Sequence, residues 1–424
     1  NGQPLVVGTL NYSLTAKAAA DDPERMVVAM ELTGGNQVEL PESQITGGTL
    51  RGLVSFRSET LDAAQNALGR VAISLTQTVN NQHRLGQDLT GALGTDFFNV
   101  ADPTVIANSL NTSGAVVSAS FSSTAAADLT TSDYQLTYTA ANTFTLTRLS
   151  DGISWTGTGA SPAAALTDLM TVQVPGQGFN LSLTGAPNVG ETFKIQPTRS
   201  GAESIRVMVT DPRNVAAAAP MRSSAALANT GTGAISDRTV NSPAPPNVNL
   251  QNQVTITFTS ATTYDVYDVT SGTSLATGVA YTASADISYN GWTVQISGAP
   301  AMGDVFTVAK NSSGVSDNRN AVALAALQTT DTMLGAAGSA TATFQEAYAQ
   351  LVSEVGNKAR QVEVIGKAQQ NLLDEAQAAR ETMSGVNLDE EAANLIRYQQ
   401  AYQASAKVIS VASSLFDEIL AIMR

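Results

Sequence analysis

Ser384-Gly-Val-Asn-Leu-Asp-Glu-Glu391, continuing through Tyr398-Gln-Gln-Ala-Tyr402 to Phe416-Asp-Glu-Ile-Leu-Ala-Ile-Met-Arg424, reads as one long helix. Asn387 suits the N-cap, Glu390 can reach back to its amide, and Asp389, Glu390 and Glu391 set negative charge at the positive end of the helix dipole. Gly385 would end any preceding helix. Leu388, Leu395, Tyr402, Ile409, Phe416 and Met423 then recur at a step of seven, with Ala392, Gln399, Ala406, Ser413 and Leu420 in the other seam position. Such a helix needs a partner helix. The seam Leu388, Leu395, Tyr402, Ile409, Phe416, Leu420 and Met423 is therefore the candidate assembly site. Val408, Val411, Leu415, Ile419 and Ile422 add apolar side chains on further faces, so the last turns are expected to be surrounded rather than docked on one side.

Upstream, Thr343 and Glu346 form a capping box. Tyr348, Val355, Val362, Ala376 and Met383 then repeat by sevens, with Leu351, Ile365, Leu372 and Ala379 between them, as far as the Ser384-Gly385 break. That helix would be about 60 Å long at 1.5 Å per residue. Near the other end, Leu61, Ala64, Leu68, Val71, Leu75 and Val79 define a helix from Leu53 to Arg84, about 48 Å long. The two are expected to lie antiparallel as a rod. Before them, Leu5-Val6-Val7 and Met26-Val-Val-Ala-Met30 are short strands separated by turns at Asp21-Asp22-Pro23 and Gly34-Gly35-Asn36.

From past Asp102-Pro103 to about Val315 the chain is rich in Ser, Thr and Gly, with short alternating strands and an internal repeat. Gly178-Phe-Asn-Leu-Ser-Leu-Thr-Gly185-Ala-Pro-Asn-Val-Gly190-Glu-Thr-Phe193 recurs as Gly291-Trp-Thr-Val-Gln-Ile-Ser-Gly298-Ala-Pro-Ala-Met-Gly303-Asp-Val-Phe306. Upstream, Tyr134 to Gly152 is echoed by Val254 to Gly272. Two copies are too few for a solenoid, so they predict two related antiparallel β modules. Ser223 to Asn249, with Gly231-Thr-Gly233 and Pro243-Ala-Pro-Pro246, is expected to link them.

Composition excludes several functions. With 36 acidic against 22 basic residues the net charge is -14, which opposes nucleic acid as a partner. No apolar run approaches the roughly 18 residues of a membrane span. The absence of cysteine excludes disulfides, thiolate metal sites and a cysteine nucleophile. The single histidine, His83, has no Gly-x-Ser-x-Gly elbow to serve and is expected at the surface or as a helix C-cap. One histidine without cysteine is a poor zinc donor set, and Asp88 and Asp96 lack the EF-hand order. Asp286 near Trp292 is the one acid and aromatic pairing that suits a sugar, but Trp292 aligns with Phe179 and is expected in the core. Gly157-x-Gly159 and Gly231-x-Gly233 lack the third glycine of a dinucleotide loop. No catalytic, cofactor or metal site is therefore assigned.

Ser384 to Arg424 resembles the C-terminus of the flagellar hook-associated protein 1 family, the hook-filament junction proteins, in its Val-Asn-Leu-Asp-Glu-Glu and Tyr-Gln-Gln-Ala-Tyr wording. Ile45-Thr-Gly-Gly-Thr-Leu-Arg-Gly-Leu53, Asn80-x-Gln82-His83 and Asp96-Phe-Phe98 extend the resemblance to the other end of the chain. The resemblance implies a terminal helix that pairs with an N-terminal helix and packs among neighbouring subunits. It implies as partners copies of itself in a ring, hook subunits, the next junction protein toward the filament, and a dedicated export chaperone holding the C-terminal region. It places the protein outside the cell in the bacterial flagellum, secreted through the flagellar export apparatus. Asn1-Gly2-Gln3-Pro4 matches a place well inside the family's sequence, so a fragment lacking the N-terminal helical part is expected.

Together these readings predict an α+β multidomain chain, with a long α-helical, coiled-coil-like rod carrying inserted antiparallel β modules. The expected division is a rod of residues 1–112 and 316–384, a first β module 113–222, a second 223–315, and a C-terminal axial helix 385–424. The expected function is structural, by self-assembly. The competing reading is a secreted adhesin or carbohydrate-binding protein displaying its β modules on a helical stalk.

Overall fold

Met26 to Glu31 buries Val27, Ala29 and Met30 against neighbours on both sides, and this stretch becomes the central strand of a small antiparallel sheet. The computed structural model describes residues 6–7, 10–32, 35–122, 126–174, 176–241, 246–335, 339–384 and 388–422. After the hairpin β1 (Val6–Val7) and β2 (Leu10–Asn11), that sheet comprises β3 (Ser13–Ala18), β4 (Met26–Glu31) and β5 (Gln37–Glu39), in the order β3-β4-β5. The helix that follows starts earlier than Leu53. It runs as α1 (Gly48–Phe56), a π-helical turn over Arg57–Leu61, and α2 (Asp62–Arg84). At the π turn the Arg57 guanidinium donates to the Met26 carbonyl and to Glu42, which ties the helix to β4 and the segment after β5.

Two β modules follow, and they have one topology. The first contains β7 (Thr104–Ala107), β8 (Val116–Phe121), β9 (Tyr134–Ala140), β10 (Thr143–Arg148), β11 (Ser154–Thr158), α3 (Pro162–Asp168), β12 (Phe179–Thr184) and β13 (Thr192–Gln196); before it lies β6 (Phe98–Asn99). Its main sheet has the order β11-β10-β9-β13-β7, and β12-β8 forms the second layer. After α4 (Gly201–Ser204) and β14 (Arg206–Val207), which pairs with β6, the second module begins. Its strands are β15 (Met221–Ala225), β16 (Ala234–Val240), β17 (Val254–Ser260), β18 (Thr263–Asp268), β19 (Thr273–Ala280), β20 (Asp286–Tyr289), β21 (Trp292–Ser297) and β22 (Val305–Lys310). The main sheet runs β19-β18-β17-β22-β15 and the second layer β20-β21-β16.

Strand by strand the orders coincide, and each central hairpin carries a register shift beside its turn, at Thr143/Phe144 and at Phe258/Ser260. The cores coincide too. Leu136, Phe144, Leu146, Phe179 and Phe193 pack as one cluster, and Ile256, Tyr264, Val266, Trp292 and Phe306 pack at the equivalent places of the other. The modules differ where α3 and a π turn (Leu169–Gln173) in the first are replaced by β20 in the second.

Two expectations need correction, and a third is not shown. Residues 223–249 are no link, because they supply most of β15 and all of β16, and Gly231-Thr-Gly233 falls between those two strands of one module; the Pro-rich run falls largely outside the described residues. The first sheet reaches back to Thr104, ahead of residue 113, because β7 pairs with β13. The long coiled-coil rod is not seen: among the described residues of the first compact unit, Asn1–Val355, only the opening turns of α6 (Phe344–Ser384) pack, through Ala347. Thr343 and Glu346 do form the expected capping box there, with reciprocal bonds of 2.9 and 3.2 Å. The second unit, Gly356–Arg424, holds the rest of α6 and α7 (Leu388–Ile422).

Half-buried charge fastens the first module to α2. Asp62 of α2 pairs with Arg25 and with Arg199 at 2.7 Å, and Arg199 also reaches Asp133 at 2.6 Å. Beside them the chain crosses the helix backbone to backbone, and a Cβ at Gly69 would stand 1.7 Å from the Thr198 carbonyl oxygen. Only glycine allows that approach. The second module is held to α5 (Arg319–Ala326) by Arg319, which pairs with Asp237 of β16 and, at 2.7 Å, with Asp317.

Candidate assembly surface

Helix α7 carries the seam predicted from the sequence. Asp389, Glu390 and Glu391 occupy its first turn, which favours the helix through its dipole. Leu395, Tyr402, Ile409, Phe416 and Leu420 project into water, each between 54% and 77% exposed. Val408, Val411, Leu415, Ile419 and Ile422 are exposed on the other faces. Met423 and the expected cap at Gly385 and Asn387 lie outside the described residues, as does the side chain of Leu388. In α6, Val362, Ile365, Leu372 and Leu373 are likewise exposed. An isolated helix gains most of its stability from packing an apolar face, and a monomer rarely leaves so much apolar surface bare.

The other singled-out residues serve the fold. His83 is fully buried, contrary to the expected surface or capping position. Its Nε2 accepts from the Ala216 N–H at 2.9 Å, so the ring proton sits on Nδ1, which bonds the Thr95 carbonyl at 2.6 Å. The imidazole thus pins two loops to the end of α2. Asp88 accepts from the Thr90 and Ala92 N–H groups and closes its own loop, while Asp96 pairs with Arg84. Among the described residues no group of three or more His, Asp or Glu could hold a metal. Trp292 is fully buried and Asp286 bonds Gln295, so the pairing that would suit a sugar is not assembled.

Sequence reasoning missed a polar brace present in both modules. Glu191, in the turn before β13, accepts from the Thr112, Ser113 and Asn188 N–H groups and from the Ser113 hydroxyl. Asp304, its equivalent before β22, accepts from the Thr230, Gly231 and Ala301 N–H groups. Alongside, Asn111 exchanges two bonds with the Thr192 backbone, as Asn229 does with Val305. Burial alone would raise the Glu191 carboxyl, but those hydrogen bonds hold it down to about 2. The Ala301 N–H, followed by those of Thr230 and Gly231, lowers Asp304 in the same way. The Gly-Glu and Gly-Asp steps at matching places in the repeat were the available signal.

The first 98 residues match the flagellar hook-associated protein FlgK helical domain, and residues 106–197 match the D2-like domain of flagellar hook-associated protein 1. Residues 247–310 match the D3 domain of the same protein, and residues 378–422 the C-terminal family of flagellar basal body rod FlgEFG proteins. Among solved structures, the flagellar hook junction protein FlgK from Burkholderia pseudomallei superposes with a TM-score of 0.74 at 32% identity, over 90% of this chain and 72% of that one. The chain belongs to the flagellar hook-associated protein 1 family. Members from Escherichia coli K12 and Salmonella typhimurium LT2 are 27% and 28% identical over 99% of this chain. The chain spans only 57% and 58% of their lengths. Separate domain models of the family fall on the two β modules, while the basal body rod model falls on α7 and the end of α6.

Proposed function

We propose that this chain is a structural subunit of the bacterial flagellum that joins hook to filament by self-assembly, and that it performs no covalent chemistry. The observation that carries the reading is α7: a 35-residue helix with its large apolar side chains in water, in a chain of this family. In the assembled state α7 and the outer part of α6 would be covered by partner helices, completing the coiled-coil-like rod that the heptads of both helices specify. The partners are copies of the chain in a ring, hook subunits on one side and the next junction protein on the other. A dedicated chaperone would hold the C-terminal region before secretion to the cell exterior, since a bare apolar helix needs cover in transit.

The domain reading follows the same logic once the first module starts at Thr104, with residues 1–103 and 316–384 as the stem, two β modules carried on it, and residues 385–424 as the axial helix. The adhesin reading has lost its best residue, because Trp292 lies in the core.

The full-length protein with Ile409→Asp and Phe416→Asp tests the assignment. Filament growth and chaperone binding should both be lost, while thermal melting of the β modules stays unchanged. Normal motility in that variant would overturn the proposal.

A further inference from the structure

Each β module ends, at the same place in its topology, in two interlocked loops that hold large apolar side chains out in water. In the first module the loops are residues 108–115 and 185–190, with Leu110 76% and Val189 62% exposed. In the second they are residues 226–233 and 298–303, with Leu227 fully and Met302 76% exposed. A lone exposed leucine is ordinary. These four are different in kind, because the loops beneath them are fixed by the carboxylates of Glu191 and Asp304 and by the side chains of Asn111 and Asn229. The same brace presents the same class of side chain in both modules, although Val189 in one is Met302 in the other.

Charge argues for what meets them. None of the four loops contains Asp, Glu, Lys or Arg, and the acid that follows one loop of each pair, Glu191 or Asp304, is turned inward and at most 5% exposed. Copies of a chain with net charge -14 repel one another over most of their surface, so they can touch cheaply only where the surface is neutral. Two apolar side chains per tip fall far short of the roughly 800 Å² per partner of a stable interface, so a tip cannot hold a partner alone. It can add to a second contact, where linkage makes a weak contact count.

We propose that both tips are contact points between neighbouring copies of this chain, acting only when α7 has already assembled. This rests on the self-assembly reading above and extends it to the outer modules. The absence of cysteine makes the test clean. Leu110→Cys on the first tip and Met302→Cys on the second, each alone in the full-length protein, are labelled with benzophenone maleimide, a photo-cross-linker that captures any neighbouring carbon, and irradiated in intact flagella and as dilute protein. Ser274→Cys on β19 is the control. Both sites are so exposed that neither variant should disturb folding. A covalent adduct of two copies is expected from intact flagella at both tip positions, at least tenfold above the control, and none from dilute protein. Capture of a different polypeptide, or no adduct from protein that is present at the junction, overturns the proposal. Immunolabelling of the unsubstituted chain separates the two ideas: its absence from the junction would overturn the functional reading, and the tip contact with it.

Discussion

Glu191 and Asp304 make the stability of the β modules depend on acid. Both carboxyls are depressed in the folded chain, so the stability they confer is fully present above the ordinary carboxylate range of about 4 and is lost as pH falls below it, toward about 2 for Glu191. The melting temperature of the modules should therefore fall over that window, and Glu191→Gln should make the fall shallower for the first module. A melting profile against pH checks both points. His83 makes a second case. His83→Phe keeps the edge contact with Phe97, whose ring lies 5.4 Å away, but strands the Thr95 carbonyl and the Ala216 N–H. Leaving such groups buried and unpaired costs about 1–3 kcal/mol, readable by denaturant unfolding. Nothing in the sequence near His83 announces this role, because Ala216 lies far along the chain and only the fold brings it there.

Among the elements, those with a strong period were legible and those defined by distant partners were not. The heptads of α6 and α7, the capping box at Thr343 and the paired repeats are local patterns, and each corresponds to an observed element. β15 and β16 were hidden because Met221–Ala225 and Ala234–Val240 alternate weakly and are flanked by Gly and Pro; pairing with β22 and β21 makes them strands. The π turn at Arg57 was illegible for the same reason, since its anchors are Met26 and Glu42. The crossing of α2 by the segment after β13 yields a prediction of its own. Gly69→Ala must displace the Thr198 backbone, and overpacking of this kind costs about 1–3 kcal/mol or more. Circular dichroism melting should show the loss, whereas Gly52→Ala, whose Cβ meets nothing within 4 Å inside α1, should melt at or slightly above the parent because alanine is the better helix former.

At the scale of the whole molecule, the described chain is fully packed in its β modules and bare along its terminal helices. The helix that carries the candidate surface was legible because a step of seven survives without knowledge of a partner; what covers each face was not, because partners leave no trace in one chain's pattern. Burying a side chain such as Leu395 or Phe416 yields about 1.5–3 kcal/mol, so covering the seam is a large driving force for assembly. The direct test is amide hydrogen exchange over residues 388–422, measured in the isolated chain and in assembled flagella. Fast exchange is expected in isolation, as for a marginal unsupported helix, and protection by at least a hundredfold after assembly, with the β modules protected in both states. Equal, fast exchange of that segment in both states would contradict it.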